Sequence, residues 1–315
     1  MSTMPGYVVV DPRFADFVDT SREPEVLADG FVWTEGPVWL DGLLFFNDIP
    51  NKRMLVWEEG KGASIALANS EFANGNTLDL NGNMISCEHG GRRVVRRNDP
   101  FNLASAEVIA DQYDGKRLNS PNDVIVRSDG TVWFTDPPYG INSDVEGYAA
   151  ESEIGACYVF CADTSGALSP VVTDFDKPNG LAFSPDETQL FVADSGAIRG
   201  ASFPGIDYDL PHHIRVFDVE GRRLSNGRVF AVVAPGVPDG LRVDTEGFVW
   251  TSALDGIHCL SPEGALIGKI QLPAQTSNIC FGGPDGSTLF VTSSDKVYRV
   301  HSTRKDAAQH RKAIQ

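Results

Sequence analysis

Six oxygen-bearing side chains recur at one fixed place in a short pattern that is repeated along this chain of 315 residues. After each of them come an alternating strand, a tight turn and a second apolar strand, which together predict a β-hairpin. Because the position is held in phase, hairpins arranged around an axis would bring these side chains together. We call the predicted set the ring, and its members are Glu35, Asn74, Asn122, Asn179, Asp239 and Asn278.

The ring would offer two carboxylates and four amides, with no nitrogen or sulfur ligand. An all-oxygen set of this kind suits one hard divalent cation, calcium first and magnesium or manganese next. Zinc is possible, although it usually recruits His or Cys. A single Asn or Asp at the start of a strand often only caps a turn. Six such residues in phase favour a binding role instead.

The spacing of the ring residues predicts the architecture that positions them. Successive ring residues are 39 to 60 residues apart, and the shortest spacing fits a four-stranded propeller blade. We therefore predict an all-β six-bladed β-propeller of four-stranded antiparallel blades over residues 23–301, with an N-terminal extension (1–22) and a C-terminal tail (302–315). The run EVLAD at 25–29 precedes the first hairpin, so this N-terminal strand should close the last blade.

Loops between the second and third strands should share a face with the ring. Two of them carry long insertions, at 140–156 and 196–213, which we expect to border the mouth of the central channel. His89 lies in a loop on this face, and Asp194 ends the second strand of the fourth blade. Asp123 is expected to point away from the axis, because successive side chains of a strand alternate.

Composition excludes several classes of partner. A formal charge of −17 argues against nucleic acid and anionic membranes as partners. No run of eighteen apolar residues predicts a membrane span, and the N-terminus MSTMPGYVVV does not read as a secretory signal. The five cysteines are scattered without a C-x-x-C pair, which indicates free thiols in a reducing compartment. We therefore predict a cytoplasmic protein.

Several segments resemble the senescence marker protein (regucalcin), gluconolactonase and luciferin-regenerating-enzyme-like family, over roughly residues 20–300. CEHGGRRV (87–94) is similar to the bacterial gluconolactonase branch. The resemblance implies a six-bladed propeller with one divalent metal at the top of its central channel. It rests on TEGPVW (34–39), RLNSPNDV (117–124), TDPPYG (135–140), PNGLAFSPD (178–186) and PDGLRVDTEGFVW (238–250).

The resemblance also implies roles for particular residues. Glu35, Asn179 and Asp239 match the family's metal ligands, and Asn122 matches a residue that is either a ligand or a substrate contact. Regucalcin carries an Arg that contacts the sugar where this chain has Ser120, so substrate recognition should differ. The candidates for substrate contact on the same face are Asn122, His89, Arg117, Asn119, Tyr139 and Arg199.

The implied activity is that of a gluconolactonase-like lactonase, a metal-dependent hydrolase that opens an aldono-1,4- or 1,5-lactone. The metal would act as a Lewis acid and water as the nucleophile. Asp239, Asp194 and Glu35 are the expected catalytic residues, and Asp239, Asp194 or His89 would act as the base. The alternatives are a phosphotriesterase-like hydrolase and a non-catalytic propeller that holds calcium.

Overall fold

A computed structural model of the protein describes residues 2–4, 6–99, 102–199 and 205–308. The chain begins with two short strands, one helical turn and a third strand. These are β1 (Ser2–Met4), β2 (Tyr7–Val9), α1 (Phe14–Phe17) and β3 (Glu25–Ala28). Most of the remaining chain folds into pairs of hairpins, and each pair forms one sheet of the propeller.

The first three blades run from residue 34 to residue 175. Blade 1 contains β4 (Thr34–Leu40), β5 (Leu43–Asp48), β6 (Arg53–Glu58) and β7 (Gly62–Leu67). Blade 2 contains β8 (Ala73–Leu78), β9 (Met84–Glu88), β10 (Arg93–Arg97) and β11 (Glu107–Ala110). The hairpin of β12 (Gln112–Tyr113) and β13 (Lys116–Arg117) comes next. Blade 3 contains β14 (Val124–Val126), β15 (Val132–Asp136), β16 (Cys157–Ala162) and β17 (Leu168–Phe175), with α2 (Tyr139–Asn142) after β15.

The last three blades complete the circle of sheets. Blade 4 contains β18 (Pro178–Phe183), β19 (Gln189–Asp194), β22 (His213–Glu220) and β23 (Arg223–Val232), with the small hairpin β20 (Ile198–Arg199) and β21 (Gly205–Ile206) between β19 and β22. Blade 5 contains β24 (Leu241–Val243), β25 (Val249–Ala253), β26 (Gly256–Leu260) and β27 (Leu266–Gln271). Blade 6 contains β28 (Thr276–Gly282), β29 (Thr288–Ser293) and β30 (Lys296–His301), and its fourth strand is β3.

The propeller is closed by its N-terminal strand, as the sequence predicts. β3 pairs antiparallel with β30, with Val26 opposite Tyr298. Each innermost strand also contacts the innermost strands of both neighbouring blades, from β4 round to β28 and back. The prediction of an all-β six-bladed propeller is therefore confirmed.

Blade 5 is wider than predicted. β2 pairs with the outer strand β27 and β1 pairs with β2, so this sheet has six strands. The added strands cover an edge that would otherwise expose unpaired backbone groups. Below them, Phe14 and Phe17 of α1 pack near Trp250.

The hydrophobic core lies between adjacent blades. Trp133 of blade 3 meets Phe183 of blade 4 edge to face at 5.3 Å between ring centroids. Trp39 of blade 1 stacks on Phe290 of blade 6 at 4.9 Å. These alternating aromatic residues therefore hold neighbouring sheets together rather than serving a ligand.

The structure bears on two of the sequence observations about the compartment, the lack of a membrane span and the state of the cysteines. Within the described ranges, neither helix has the length or apolar character needed to cross a bilayer. All five cysteines are free thiols. The cytoplasmic location stays a prediction.

Candidate metal centre and active site

Each ring residue lies where the innermost strand of its blade begins, on what we call the upper face. In blades 1, 2, 4 and 6 a bulge interrupts strand pairing at or beside the ring residue. In the other two blades, Asn122 and Asp239 stand two residues before the strand starts. Bulges re-aim side chains, so the ring residues leave the regular alternation and lie against the channel. All six are buried, between 2% and 7% exposed.

Glycines beside the ring allow the blades to approach closely. The Gly180 N–H donates to the Asp239 carbonyl oxygen at 3.0 Å, and a Cβ on Gly180 would lie 2.3 Å from that oxygen. A Cβ on Gly240 would lie 2.1 Å from Asn278 Cγ. Only glycine fits these positions without displacing the neighbouring backbone or side chain, which explains the Gly that comes after the ring residue in several repeats.

Two ring asparagines are already engaged by the protein. Asn278 Nδ2 donates to Glu35 Oε2 at 3.0 Å, and Asn278 Oδ1 accepts from the Ile279 N–H at 2.9 Å. Asn74 Nδ2 lies 3.2 Å from His89 Nε2. Both amide atoms of Asn278 are thus occupied, whereas Asn74 is hydrogen bonded through its amide nitrogen.

The remaining asparagines have oxygen atoms to offer. Asn179 Nδ2 donates to Ser195 Oγ at 3.2 Å, which leaves the amide oxygen for a ligand. The side-chain amide of Asn122 forms no hydrogen bond with any residue in the described ranges. Among the described contacts of the four ring asparagines, the amide oxygen of Asn278 alone is occupied by a protein hydrogen bond.

The two carboxylates of the ring disfavour each other's charge. Burial raises the pKa of Glu35 to about 8, although hydrogen bonds from Gly36 and Asn278 oppose the shift. Burial also holds the pKa of Asp239 well above its usual range, and the charges of Glu35, Asp123 and Glu146 raise it further. Such repulsion between buried carboxylates is relieved when a cation lies between them.

The side chain of Asp123 reaches toward blade 5, contrary to the expectation that it points away from the axis. Its Oδ2 is 3.6 Å from Nη1 of Arg242, which belongs to the innermost strand of blade 5, two blades further on. Asp123 precedes β14, so the alternation of a regular strand does not govern its direction. Burial raises the pKa of Asp123, and the charge of Arg242 opposes this rise at both Asp123 and Glu35.

The donor set fits a hard divalent cation. Two buried carboxylates and available amide oxygens suit calcium, magnesium or manganese better than zinc. The described residues contain no metal-competent cluster of three or more His, Cys, Asp or Glu. A cation at the ring would therefore depend on the asparagine oxygens.

The insertion at 140–156, which we call the lid segment, reaches the ring. The Nδ1–H of His89 donates to the Glu146 carbonyl oxygen across 3.0 Å, while Nε2 accepts from Asn74. Burial lowers the pKa of His89 to about 4, so its imidazole is neutral at pH 7. His89 is thus a fixed hydrogen-bonding residue between the ring and the lid segment.

Two more groups of the lid side face the ring carboxylates. Burial raises the pKa of the Glu146 carboxyl to about 7, and its charge acts on Asp239. The buried hydroxyl of Tyr139 lies beside Ser195 and Asn179, and burial together with the charge of Asp239 raises its pKa well above the usual range. Tyr139 was a sequence candidate, whereas Glu146 was missed, because nothing in the pattern of the insertion marks it.

The carboxylate of Asp194 is hydrogen bonded to nearby backbone groups. Its Oδ1 accepts from the N–H groups of Lys177 and Gly196, and its Oδ2 from the Asp176 N–H. Asp136 in blade 3 likewise accepts from two backbone N–H groups of the segment before its blade. These carboxylates, at the same place in the repeat, fix the turn that leads into the innermost strand.

The other substrate candidates lie at the base and rim of the insertions. The side chain of Asn119 is fully buried, donates to the carbonyl oxygens of Asp136 and Ala156 and accepts from Ser152. Arg117 is exposed and donates to the Gly91 carbonyl oxygen. Arg199 is exposed at the end of β20, and residues 200–204 of the second insertion lie outside the described ranges.

The profile of the SMP-30/Gluconolactonase/LRE-like region matches residues 33–295 of this chain. The chain belongs to this family. A gluconolactonase from Zymomonas mobilis is 33% identical over 327 residues, which cover 96% of this chain and 87% of that protein. That alignment covers nearly the whole of the present chain, which is therefore a lactonase.

Solved structures give the same fold. A gluconolactonase from Xanthomonas campestris superposes with a TM-score of 0.83 at 31% identity, covering 96% of this chain and 98% of that one. A regucalcin from Agrobacterium tumefaciens, described as a calcium-binding protein, superposes with a TM-score of 0.70 at 17% identity, covering 90% and 94%. At that identity the second likeness shows the fold alone.

Proposed function

We propose that this lactonase opens an aldono-1,4- or 1,5-lactone with one divalent cation, calcium first, held by Glu35, Asn122, Asn179 and Asp239. The observation that carries the proposal is the pair of buried, mutually repelling carboxylates beside available amide oxygens. Calcium comes first because it accepts six to eight oxygen ligands from carboxylates and amide carbonyls in a flexible arrangement. When bound, the cation would polarise the lactone carbonyl and stabilise the oxyanion.

The chain's own groups would do the rest of the chemistry. Asp239 takes the proton of the attacking water, a new bond joins the water oxygen to the carbonyl carbon, and the ring C–O bond of the lactone breaks with protonation of its oxygen. Glu146, with a pKa of about 7, faces Asp239 and can hold or return that proton. Tyr139 and Asn122 would orient substrate hydroxyls.

Two sequence candidates are left out of proton transfer. The carboxylate of Asp194 accepts from three backbone N–H groups, so both of its oxygen atoms are already used to hold the turn. His89 Nε2 already accepts from Asn74. Arg117 and Asn119 are not part of the proposal either, because neighbouring protein groups already engage their side chains.

Acid release from glucono-, galactono- and xylonolactone in a pH-stat tests the proposal. We expect chelation, Glu35→Gln and Asp239→Asn each to lower turnover at least about 100-fold, because each removes charge stabilisation from the transition state. Glu23→Gln makes the same chemical change at an exposed site and should leave turnover unchanged. Turnover that survives chelation and both ring substitutions would refute the metal mechanism.

A phosphotriester assay under the same conditions addresses the alternatives. Hydrolysis of the triester faster than of any lactone would replace lactones by phosphotriesters as the substrate. Cation binding without turnover of either class would leave the ring as a structural calcium site.

A further inference from the structure

The ring is covered in this structure. Its carboxylates and amides are at most 7% exposed, and His89 beside it is fully buried. The lid segment lies over this site, because the Glu146 carbonyl oxygen accepts from His89. Whatever holds the lid segment in place therefore controls both access to the ring and the position of the Glu146 carboxyl.

A cluster of three side chains holds the far side of the lid segment. Lys52 Nζ lies 4.4 Å from the centroid of the Phe72 ring and 4.9 Å from that of Tyr148. Phe72 and Tyr148 meet edge to face at 5.2 Å. The Tyr148 hydroxyl lies 3.4 Å from the same ammonium group. The cluster joins blade 1, blade 2 and the lid segment through cation–π and aromatic contacts.

The backbone around this cluster is unusual. Lys52, Glu71 and Phe72 all have positive φ values, 54° in each case. Left-handed conformations are uncommon for residues other than glycine and persist where surrounding contacts hold them. Three of them meet at one place on the upper face, which indicates that the positions of Lys52 and Phe72 are tightly specified.

The cluster is linked directly to the active site. The Phe72 carbonyl oxygen accepts from the His89 N–H at 3.3 Å, and the Glu71 carbonyl oxygen accepts from the Gly90 N–H at 2.9 Å. A Cβ on Gly90 would lie 2.9 Å from Phe72 and 3.0 Å from Tyr148, so the loop fits closely under both aromatic side chains. Tyr148 is two residues from Glu146 on the lid segment.

We propose that Lys52, Phe72 and Tyr148 form a latch that holds the lid segment over the ring, and that Tyr148 is a positioning residue for the Glu146 carboxyl. Tyr148 contacts neither the ring nor the reacting atoms. It acts through the lid segment. The catalytic part of this inference rests on the proposed lactonase mechanism, whereas the latch itself does not.

Hydrogen–deuterium exchange of the lid segment tests the latch without using activity. We expect Tyr148→Ala to accelerate amide exchange in residues 140–156 at least tenfold and Lys52→Met to accelerate it severalfold. Tyr148→Phe keeps the aromatic contacts and should stay within about twofold of the parent. Val145→Ala is the matched control, because Val145 lies on the same segment with the same 46% exposure as Tyr148.

Exchange in β19 serves as the internal control for folding. If β19 stays protected and the lid segment exchanges at the parental rate in both Tyr148→Ala and Lys52→Met, the latch is refuted. If Tyr148→Ala unfolds globally, Lys52→Met decides: severalfold faster exchange of the lid segment supports the latch, and exchange at the parental rate refutes it.

Lactone kinetics test the positioning role. On a lactone that the parent hydrolyses, we expect Tyr148→Ala to lower kcat at least tenfold and Tyr148→Phe to restore it. Calcium affinity should be unchanged, because the ring is intact. Faster exchange of the lid segment with unchanged kcat and KM would refute the positioning role. If the parent hydrolyses no lactone, the proposed function fails while the exchange data still decide on the latch.

Discussion

At the residue scale, the role of each ring side chain depends on what its neighbours already use. Asn278 is hydrogen bonded through both amide atoms, whereas the amide of Asn122 is available. A cation ligand needs an oxygen lone pair that no stronger protein contact occupies. Residues that look equivalent in the sequence repeat therefore differ in the oxygen atoms that they can offer a cation, and the difference depends on hydrogen bonds within and between blades.

His89 gives a prediction for acid stability. Its pKa is about 4 in the folded chain and about 6.5 when unfolded, so between these values only the unfolded chain binds the proton. The contribution of His89 to the free energy of unfolding is complete above about pH 6.5. It declines as the pH falls, by about 1.4 kcal/mol per pH unit and by about 3 kcal/mol in total. Denaturant unfolding of the parent and His89→Gln at pH 7.5 and 5 measures this.

From pH 7.5 to pH 5, the free energy of unfolding should fall by about 2 kcal/mol more in the parent than in His89→Gln. Comparing the two proteins is necessary, because Glu35 and Glu146 have raised folded pKa values and act in the opposite sense. Their stabilisation is complete below about pH 4.5 and is lost as the pH rises through about 7 to 8. An equal loss in parent and variant would show that His89 is not held neutral.

The sequence predicts which residues form the ring, because one hairpin pattern repeats and keeps them in phase. It does not predict Glu146, which stands in an insertion without a repeat. The direction of Asp123 was predicted wrongly, because strand alternation was assumed before the strand begins. Both residues lie where the backbone is not paired in a regular β-sheet, and there the repeat pattern does not predict side-chain positions.

At the scale of strands and loops, close contact between innermost strands holds the ring residues in place. Gly180→Ala would place a methyl group 2.3 Å from the Asp239 carbonyl oxygen. We expect the free energy of unfolding to fall by roughly 1–3 kcal/mol or more, together with lower turnover, because Asp239 must shift. Denaturant unfolding and the lactone assay measure the two effects.

Gly205→Ala is the control for that substitution. Among the described residues nothing lies within 4 Å of a Cβ at Gly205, and its φ is not in the left-handed region. This variant should unfold like the parent. Equal stability of the two variants would mean that the blades can separate at the ring without penalty.

The two insertions show the limit of sequence reasoning for loops. Their position on the upper face can be inferred from strand order, but their conformation depends on contacts between distant segments. Asn119 was a substrate candidate, yet its amide and oxygen hold the base of the lid segment. The amino-acid types in such a loop are the same whether their side chains hold the loop in place or bind a ligand.

At the scale of the whole molecule, both chain ends fasten the propeller at its last two blades. Arg304 binds both carboxylate oxygens of Asp244 in blade 5, at 2.8 and 3.1 Å. Its guanidinium also lies over Phe17 of α1 and over Phe248. The C-terminal residues thus connect the N-terminal extension to blade 5.

Arg304→Ala should lower the free energy of unfolding by about 3 kcal/mol, because it leaves the buried carboxylate of Asp244 without its cation. Arg222→Ala breaks a more exposed pair with Asp163 and should change stability by less than about 1 kcal/mol. Denaturant unfolding measures both. A loss of less than about 1 kcal/mol in Arg304→Ala as well would show that this contact of the tail does not stabilise the propeller.

The overall fold can be predicted from the sequence because it depends on the number, spacing and order of hairpins. Closure by β3 was predictable, since the chain has one strand too many at its start and one too few at its end. The pairing of β2 with β27 was not, because Tyr7–Val9 is a short apolar run that could pack in several ways. Its position depends on which sheet edge is open.

Whether the ring binds a cation is decided by a crystal structure of the protein grown with calcium, with the ion identified by anomalous scattering. We predict one ion at the upper end of the channel, bound by oxygen atoms of Glu35, Asn179, Asp239 and Asn122 at about 2.3–2.6 Å. Asn74 and Asn278 should keep their protein hydrogen bonds. An active enzyme with no ion at the ring, or an ion bound away from Glu35 and Asp239, would contradict the proposed metal centre.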